Sequence, residues 1–575
     1  MVTMLLGSLC RGGLRRPVEA GCNRRALLLF TNTTRARSTT GTIRLPLFAP
    51  VFEPRFQEKV AFTDHQGHHF TFAQLGRKAA GLAAELEAKG VKCRGGDEQR
   101  VAFMCERDLS FPTTLISTWM TGSIAIPLSS SHPDTMLEYF LKSTGSKLVC
   151  SEIYKDKLNG VAKSTGTELL VVNFDKLKDG DVSFGVKVAK EYNYEGKGGL
   201  ILFTSGTTGQ PKGVLLTHSN LLDQVTNICD AWEITEKDTM LHVLPLHHTH
   251  GLIHALISPL AVGARSHMLQ KFDPAKAWAE LLSTDNELRP NVLMGVPTVY
   301  IKLIEEFDKS FAKSPTKVAF IKETLKQKMR LILSGSASLP VPVLERFEQI
   351  SGHRLLERYG MTEIGMALTN PLHGERKPGF VGKPFETVKL RVVDMTSRDN
   401  YKLLAESDSH GTRILVDKGE KVIGDLLVKG PSVFKEYWGN PEATKKEFTN
   451  DGWFITGDTV EFTEGAYKIL GRKSVDIIKS GGYKLSALEI ETQLLSFPEI
   501  KEVAVMGLPD PTWGQRVVAV LAWNGKELSL AEFKELAKTR VAPYAIPTLL
   551  KSLPELPRNH LGKVNKKELV KIFAT

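Results

Sequence analysis

The sequence predicts an α/β protein with a large N-terminal domain, which carries a β-rich subdomain, and a small α+β C-terminal domain. Three observations lead there. Between residues 50 and 200, short apolar runs alternate with helical patterns, as in α/β architectures. From 380 to 430 the texture changes to short strands, "VKLRVVD", "RILVD" and "GDLLVKG", separated by polar turns. Beyond "GRKSVDIIKSGGYKL" (471–485) the pattern contracts into an α/β unit of about a hundred residues, an ordinary domain size. A chain of 575 residues is too long for one ordinary core. The expected division is a leader over 1–40, an N-terminal domain over 41–472 and a C-terminal domain over 473–575.

The leader is read from charge. Residues 1–40 hold Arg11, Arg15, Arg16, Arg24, Arg25, Arg35 and Arg37, no lysine, and Glu19 as the one acid. Serine, threonine, leucine and glycine supply most of the rest, as in mitochondrial transit peptides. The apolar "MLLGSL" is too short for a secretory signal, and arginines interrupt the residues after it. Removing this segment lowers the formal charge from +11 to about +5, which undercuts a nucleic-acid-binding reading. No run of 18 apolar residues predicts a membrane span. The cysteines, Cys10, Cys22, Cys93, Cys105, Cys150 and Cys229, show no Cys-x-x-Cys spacing, which argues against a disulfide framework and structural zinc. A reducing compartment such as the mitochondrial matrix fits.

In the body, "TFAQLGRKAAGLAAELEAKG" (71–90) sets Leu75, Ala79, Leu82 and Leu86 at helical spacing, with Gly90 as the stop. "RVAFMC" (100–105), "GSIAIPL" and "KLVCSE" (147–152) read as strands, and "EIETQLLSFPEIKEVAVMGLPD" as a helix and then a strand. The most informative stretch is "GLILFTSGTTGQPKGVLLTH" (199–218). An apolar strand leads into Thr204, Ser205, Gly206, Thr207, Thr208 and Gly209, then Pro211-Lys212-Gly213, with a helix expected over "SNLLDQVTNICDAW". Glycines let backbone N–H groups approach an anion, hydroxyls add donors, and Lys212 adds charge, so the stretch reads as a phosphate cradle. It is not a Walker A loop, because Pro211 precedes the lysine and Gly213 comes after it.

"TSGTTGQPKG" resembles the signature loop of the adenylate-forming superfamily of acyl-CoA synthetases, adenylation domains and luciferases. "YGMTE" (359–363), "DGWFITGD" (451–458), "GRKSVDIIKSGGYKL" and "PRNHLGK" (557–563) come in that family's order. The resemblance implies an adenylate-forming N-terminal domain and a mobile C-terminal one, using ATP, Mg²⁺ and coenzyme A. It implies that Thr204 to Lys212 hold the ATP phosphates and that Tyr359 stacks on adenine. Thr362 would bond a phosphate oxygen, Glu363 would coordinate Mg²⁺, and Asp458 and Arg472 would contact the ribose. Lys563 resembles the adenylation lysine, while Gly481, Gly482 and Tyr483 lie in the segment that meets coenzyme A. The family usually has Arg, two residues and Asp at the hinge. Arg472-Lys473-Ser474-Val475-Asp476 is one longer, which leaves the pivot anywhere from 473 to 476.

The acid to be activated is read from polar residues near the expected pocket. Arg358 stands before Tyr-Gly-x-Thr-Glu, where a small residue is common in the family. "LPLHHTHG" (244–251) brings His247, His248 and His250, and "LSGSASLP" (333–340) brings Ser336. A guanidinium fork matches a carboxylate, and Ser336, His248 and His250 would complete its cage. His247 is the weakest candidate of the three histidines. Zinc is not expected, since no acid or thiol stands at ligand spacing to them. With "ERYGMTE", "HHTHG" and "SGSA", the chain resembles the malonyl-CoA synthetases, which implies malonate, and methylmalonate with it, as substrates. The competing readings are a medium-chain or aromatic acid ligase, with Arg358 paired to Glu357 or Glu363, and a non-catalytic nucleotide-binding member of the fold.

Overall fold

Apolar strands that are buried on both faces build the two central sheets. A computed structural model of the protein describes residues 43–91, 98–204, 210–285, 289–416, 421–481, 483–558 and 564–573. Residues 1–40, read as a leader, lie outside the described residues, as do Cys10, Cys22 and Cys93. The described cysteines, Cys105, Cys150 and Cys229, are free thiols. No helix among the described residues is long and apolar enough to cross a membrane.

The first sheet has seven strands, in the order Glu436–Tyr437, Lys212–Thr217, Gly198–Thr204, Ile124–Pro127, Arg100–Met104, Lys147–Ser151 and Leu169–Val172. Its middle is parallel, and Ile124–Pro127 is buried at every position, as doubly covered strands must be. The helix Phe72–Ala88 packs on the helix Ser110–Met120, buried through Leu75, Ala79, Leu82 and Leu86. Thr71 and Gln74 close a reciprocal capping box at its start, and Gly90 takes φ +77° beyond its end. Between the phosphate loop and the helix His218–Ala231 an extra strand intervenes, Lys212–Thr217, antiparallel to Gly198–Thr204.

The second sheet has nine strands, in the order Lys383–Pro384, Gly365–Thr369, Leu356–Met361, Leu331–Ser334, Val292–Gly295, Thr239–His242, Arg265–Met268, Val60–Thr63 and His69–Thr71. Val292–Gly295, Leu331–Ser334 and Leu356–Met361 run parallel, so their carboxyl ends open on one edge, where ligands of α/β sheets bind. Residues 389–472 form a six-stranded antiparallel sheet that ends in the hairpin Phe454–Thr463 and Ala466–Arg472.

Ile477–Ser480, Tyr483–Ser486, Ile500–Asp510, Gly514–Trp523 and Leu549–Ser552 form a five-stranded sheet. Residues after 476 make their own cores on its two sides. One is gathered around Ile490, Val505 and Phe533, the other around Met506, Val518 and Leu569.

Candidate active site

At the phosphate end, hairpin register sets Thr204 opposite Lys212, and the Thr204 hydroxyl donates to the Lys212 carbonyl at 3.4 Å. Ser205, Gly206, Thr207, Thr208 and Gly209 lie outside the described residues. The Lys212 ammonium pairs with Glu447 at 3.0 Å and sits 4.0 Å from the centre of the Tyr437 ring. The Tyr437 hydroxyl donates to Glu363 at 3.0 Å. Burial raises the Glu363 carboxyl above its ordinary range, opposed by this hydrogen bond and by the charges of Arg472 and Lys212. Thr362 is half-buried in the turn between Leu356–Met361 and Gly365–Thr369.

At the nucleoside end, the hairpin Phe454–Thr463 and Ala466–Arg472 pairs Asp458 with Arg472 across the strands. The Arg472 Nε meets Asp458 Oδ1 at 3.0 Å, and the Tyr359 hydroxyl donates to Asp458 Oδ2. Burial first, then the Asp458 charge, pushes the Tyr359 phenol well up, so it is a neutral donor.

At the acid end, Arg358 is 4% exposed, and its Nε and Nη2 have no hydrogen-bond partner among the described residues. Glu357 instead accepts the Gly379 N–H at 2.8 Å, and Glu363 is held by Tyr437. Burial lowers the Arg358 guanidinium to about 9, with only the Tyr300 phenol acting against it. At neutral pH it is therefore a buried cation that forms no ion pair with either neighbouring glutamate. Gly335 makes room for it: a Cβ there would lie 2.3 Å from Arg358 Nη1. The next residue, Ser336, adopts φ +68°, which costs a non-glycine residue about 1–2 kcal/mol. In that strained position its hydroxyl lies 3.1 Å from His250 Nδ1. His248 is half-buried, and its ring packs 4.0 Å from that of His247. Arg107 anchors the histidine segment by donating to the carbonyls of His242 and Leu244. His242 Nε2 lies 2.7 Å from the Gly251 carbonyl at the other end of that segment.

On the sheet formed after residue 476, Gly481 takes φ +55° and donates its N–H to the Trp513 carbonyl. Tyr483 is exposed and stacks on Tyr544 at 4.2 Å. Gly482 and Lys563 lie outside the described residues. Sequence reasoning missed Gly335, Tyr437 and Glu447. The "LSGSA" glycine beside Ser336 was a usable signal for the first, whereas the other two depend on tertiary contacts.

A buried cation at one end and a carboxylate with a tyrosine at the other, spanned by the Leu356–Met361 strand, define a site for joining a carboxylic acid to a nucleotide. The chain belongs to the AMP-binding enzyme family, with residues 52–438 matching the family model and 489–563 its C-terminal domain. It is 46% identical over 536 residues to the human mitochondrial malonate–CoA ligase ACSF3, across 91% of this chain and 92% of that one. ATP-bound MatB from Rhodopseudomonas palustris is similar in structure, with a TM-score of 0.77 and 32% identity, covering 92% of this chain and 98% of that one. A malonyl-CoA ligase solved with methylmalonyl-CoA and AMP matches with a TM-score of 0.61 and 30% identity, over 89% and 100% of the two chains.

Proposed function

We propose that this chain is a malonate–CoA ligase of the mitochondrial matrix. It activates malonate, and its homologue methylmalonate, with ATP to an acyl-adenylate and pyrophosphate. It then passes the acyl group to the coenzyme A thiol and releases AMP. The observation that carries the reading is Arg358, buried within the Leu356–Met361 strand with two nitrogens that have no partner among the described residues. Stranding such a charge costs on the order of 3–5 kcal/mol, and a second carboxylate on the substrate offsets that cost where an alkyl chain does not.

The substrate carboxylate attacks the α-phosphate, and the thiol attacks the acyl carbon, so neither step asks for a protein nucleophile. Catalysis then consists of positioning and charge stabilisation. Arg358, Ser336, His248 and His250 hold the far carboxylate. Asp458, Arg472 and Tyr359 fix the nucleoside, and the segment from Thr204 to Lys212 and Thr362 hold the phosphates. Glu363 suits Mg²⁺, which takes one or two protein carboxylates and completes its shell with phosphate oxygens and water. When bound there, the ion would supply positive charge against the triphosphate. Lys563 stabilises the oxygen between acyl group and phosphate. The domain over 473–575 then turns about a pivot within 473–476 and presents Gly481, Gly482 and Tyr483 to coenzyme A.

A panel of acids tests the proposal. Malonate, methylmalonate, acetate, octanoate and benzoate are each supplied with ATP, Mg²⁺ and coenzyme A, and AMP release is monitored. Malonate and methylmalonate should lead. Faster turnover of octanoate or benzoate would overturn the diacid assignment, and no AMP with any acid would leave a nucleotide binder.

A further inference from the structure

Four residues beyond His250 lies a histidine that neither half-reaction employs. His254 is completely buried, and neither of its ring nitrogens meets a hydrogen-bond partner among the described residues. It sits in the widened helical turn His250–Ile257, where the Ser258 N–H and hydroxyl both reach back five residues to the Ile253 carbonyl. Such π-type turns recur at functional sites because they re-aim side chains that a regular helix would turn away. Here the turn sets the His254 ring 5.7 Å from that of His250, whose Nδ1 lies 3.1 Å from the Ser336 hydroxyl.

Its neighbours along the turn are apolar, with Leu252, Ile253, Ala255, Leu256 and Ile257 all buried. A histidine kept merely for packing would place at least one nitrogen against a backbone carbonyl, as His242 does with Gly251 and His353 with Leu325. His254 does neither. Burial first, and the Arg358 charge second, hold it well below the ordinary histidine range. It is therefore a neutral imidazole with one N–H to donate, and it feels the charge of Arg358, whose Nε and Nη2 also have no hydrogen-bond partner among the described residues. His254 lies against His250, which meets Ser336, and Arg358 lies against Gly335, so two buried polar groups left open around one Gly-Ser turn mark a place for a ligand that can accept hydrogen bonds from both.

We propose that His254 is a specificity-determining residue of the acid pocket, donating its N–H to the far carboxylate of the substrate beside Arg358. This rests on the diacid reading and deepens it. Arg358 supplies the positive charge. His254 supplies a neutral donor, so the pocket binds a dianion's second carboxylate without adding a second positive charge. A monocarboxylic acid would leave both groups without an acceptor.

The test is steady-state kinetics on the full chain and on His254→Leu and His254→Asn, with malonate, butyrate, ATP and coenzyme A varied in turn. Loss of one hydrogen bond to a charged acceptor predicts a rise of about tenfold or more in the malonate KM of His254→Leu. The KM for ATP should stay within twofold of the parent, and the preference for malonate over butyrate should fall. His254→Asn, which keeps an N–H donor, should recover most of the malonate affinity. Should His254→Leu fail to fold, His254→Met offers an apolar side chain of similar size for the same comparison. An unchanged malonate KM in the apolar variants overturns the assignment, as does an equal rise in every KM or an Asn variant no better than Leu. If the unaltered chain does not activate malonate at all, the diacid reading itself fails, and that result is seen before any variant is made.

Discussion

Glu357 and Arg358 are adjacent in sequence yet form no ion pair, because successive residues of a strand point to opposite faces. Glu357 turns to the Gly379 N–H, while Arg358 lies across Gly335, where only the lack of a Cβ gives its guanidinium room. Arg358→Gly should therefore lose malonate turnover by orders of magnitude while ATP binding, measured by titration, changes little. Glu357 carries a separate expectation about stability. Burial raises its carboxyl to about 8, with the Gly379 N–H opposing, against an ordinary value of 4.5. A folded value above the unfolded one means that its contribution is fully present below pH 4.5 and is lost as pH rises to 8. Glu357→Gln, which can still accept from Gly379, removes that loss. In denaturant unfolding the variant should be more stable than the parent at pH 8, by a few kcal/mol at about 1.4 kcal/mol per pH unit, with the gap closing toward pH 5. At this scale the sequence was legible where a charge stood beside a motif, as Arg358 does. It was not legible for His254, because a histidine inside "GLIHALI" reads as part of an apolar helix until its empty hydrogen-bonding positions are seen.

Register does for elements what alternation does for single residues. The hairpin Phe454–Thr463 and Ala466–Arg472 brings Asp458 and Arg472 together from positions fourteen apart, and the Leu356–Met361 strand adds Tyr359 to them. Both Asp458 oxygens are thus aimed before any nucleotide arrives, and preorganisation of this kind lowers the cost of binding. Asp458→Asn keeps the shape but weakens the ion pair with Arg472 and replaces one acceptor oxygen by a donor amide. It should raise the ATP KM about tenfold or more and leave the malonate KM nearly unchanged, a split that steady-state kinetics reads directly. The sequence disclosed the helix over 72–88 through its spacing and Gly90, and the Thr71 cap appeared only in the structure. It did not disclose the strand Lys212–Thr217, since a short apolar run before a helix has no period that identifies it. Pairing with Gly198–Thr204 decides that run, and with it the place of Lys212 opposite Thr204.

The whole molecule turns on how the residues after 476 are tied to those before. Asp476 ends the segment expected to hold the pivot, and its carboxylate accepts the Arg472 N–H at 3.1 Å and the Lys566 ammonium at 2.6 Å. Lys566 also meets Glu491 at 2.7 Å, so one buried cation joins the pivot segment, the helix Ala487–Leu494 and the C-terminal helix Lys566–Lys571. Burial works against its charge, but the Glu491 and Asp476 carboxylates outweigh that and hold Lys566 above the ordinary lysine range. No single motif announced this triad, because its members are spread over ninety residues and only the fold brings them together. Lys566→Met would leave two carboxylates facing each other without a counter-charge, a loss on the order of 3–5 kcal/mol. The cost falls on the cores around Val505 and Val518, which contain no residue before 478. Thermal unfolding of Lys566→Met should therefore separate into two transitions, the lower one belonging to the C-terminal part, with early protease cleavage confined to residues after 476. A single transition at the parent temperature would mean that the triad bears no net stability. Adding Glu491→Gln to Lys566→Met removes one of the two stranded charges, and should bring the lower transition back toward the upper.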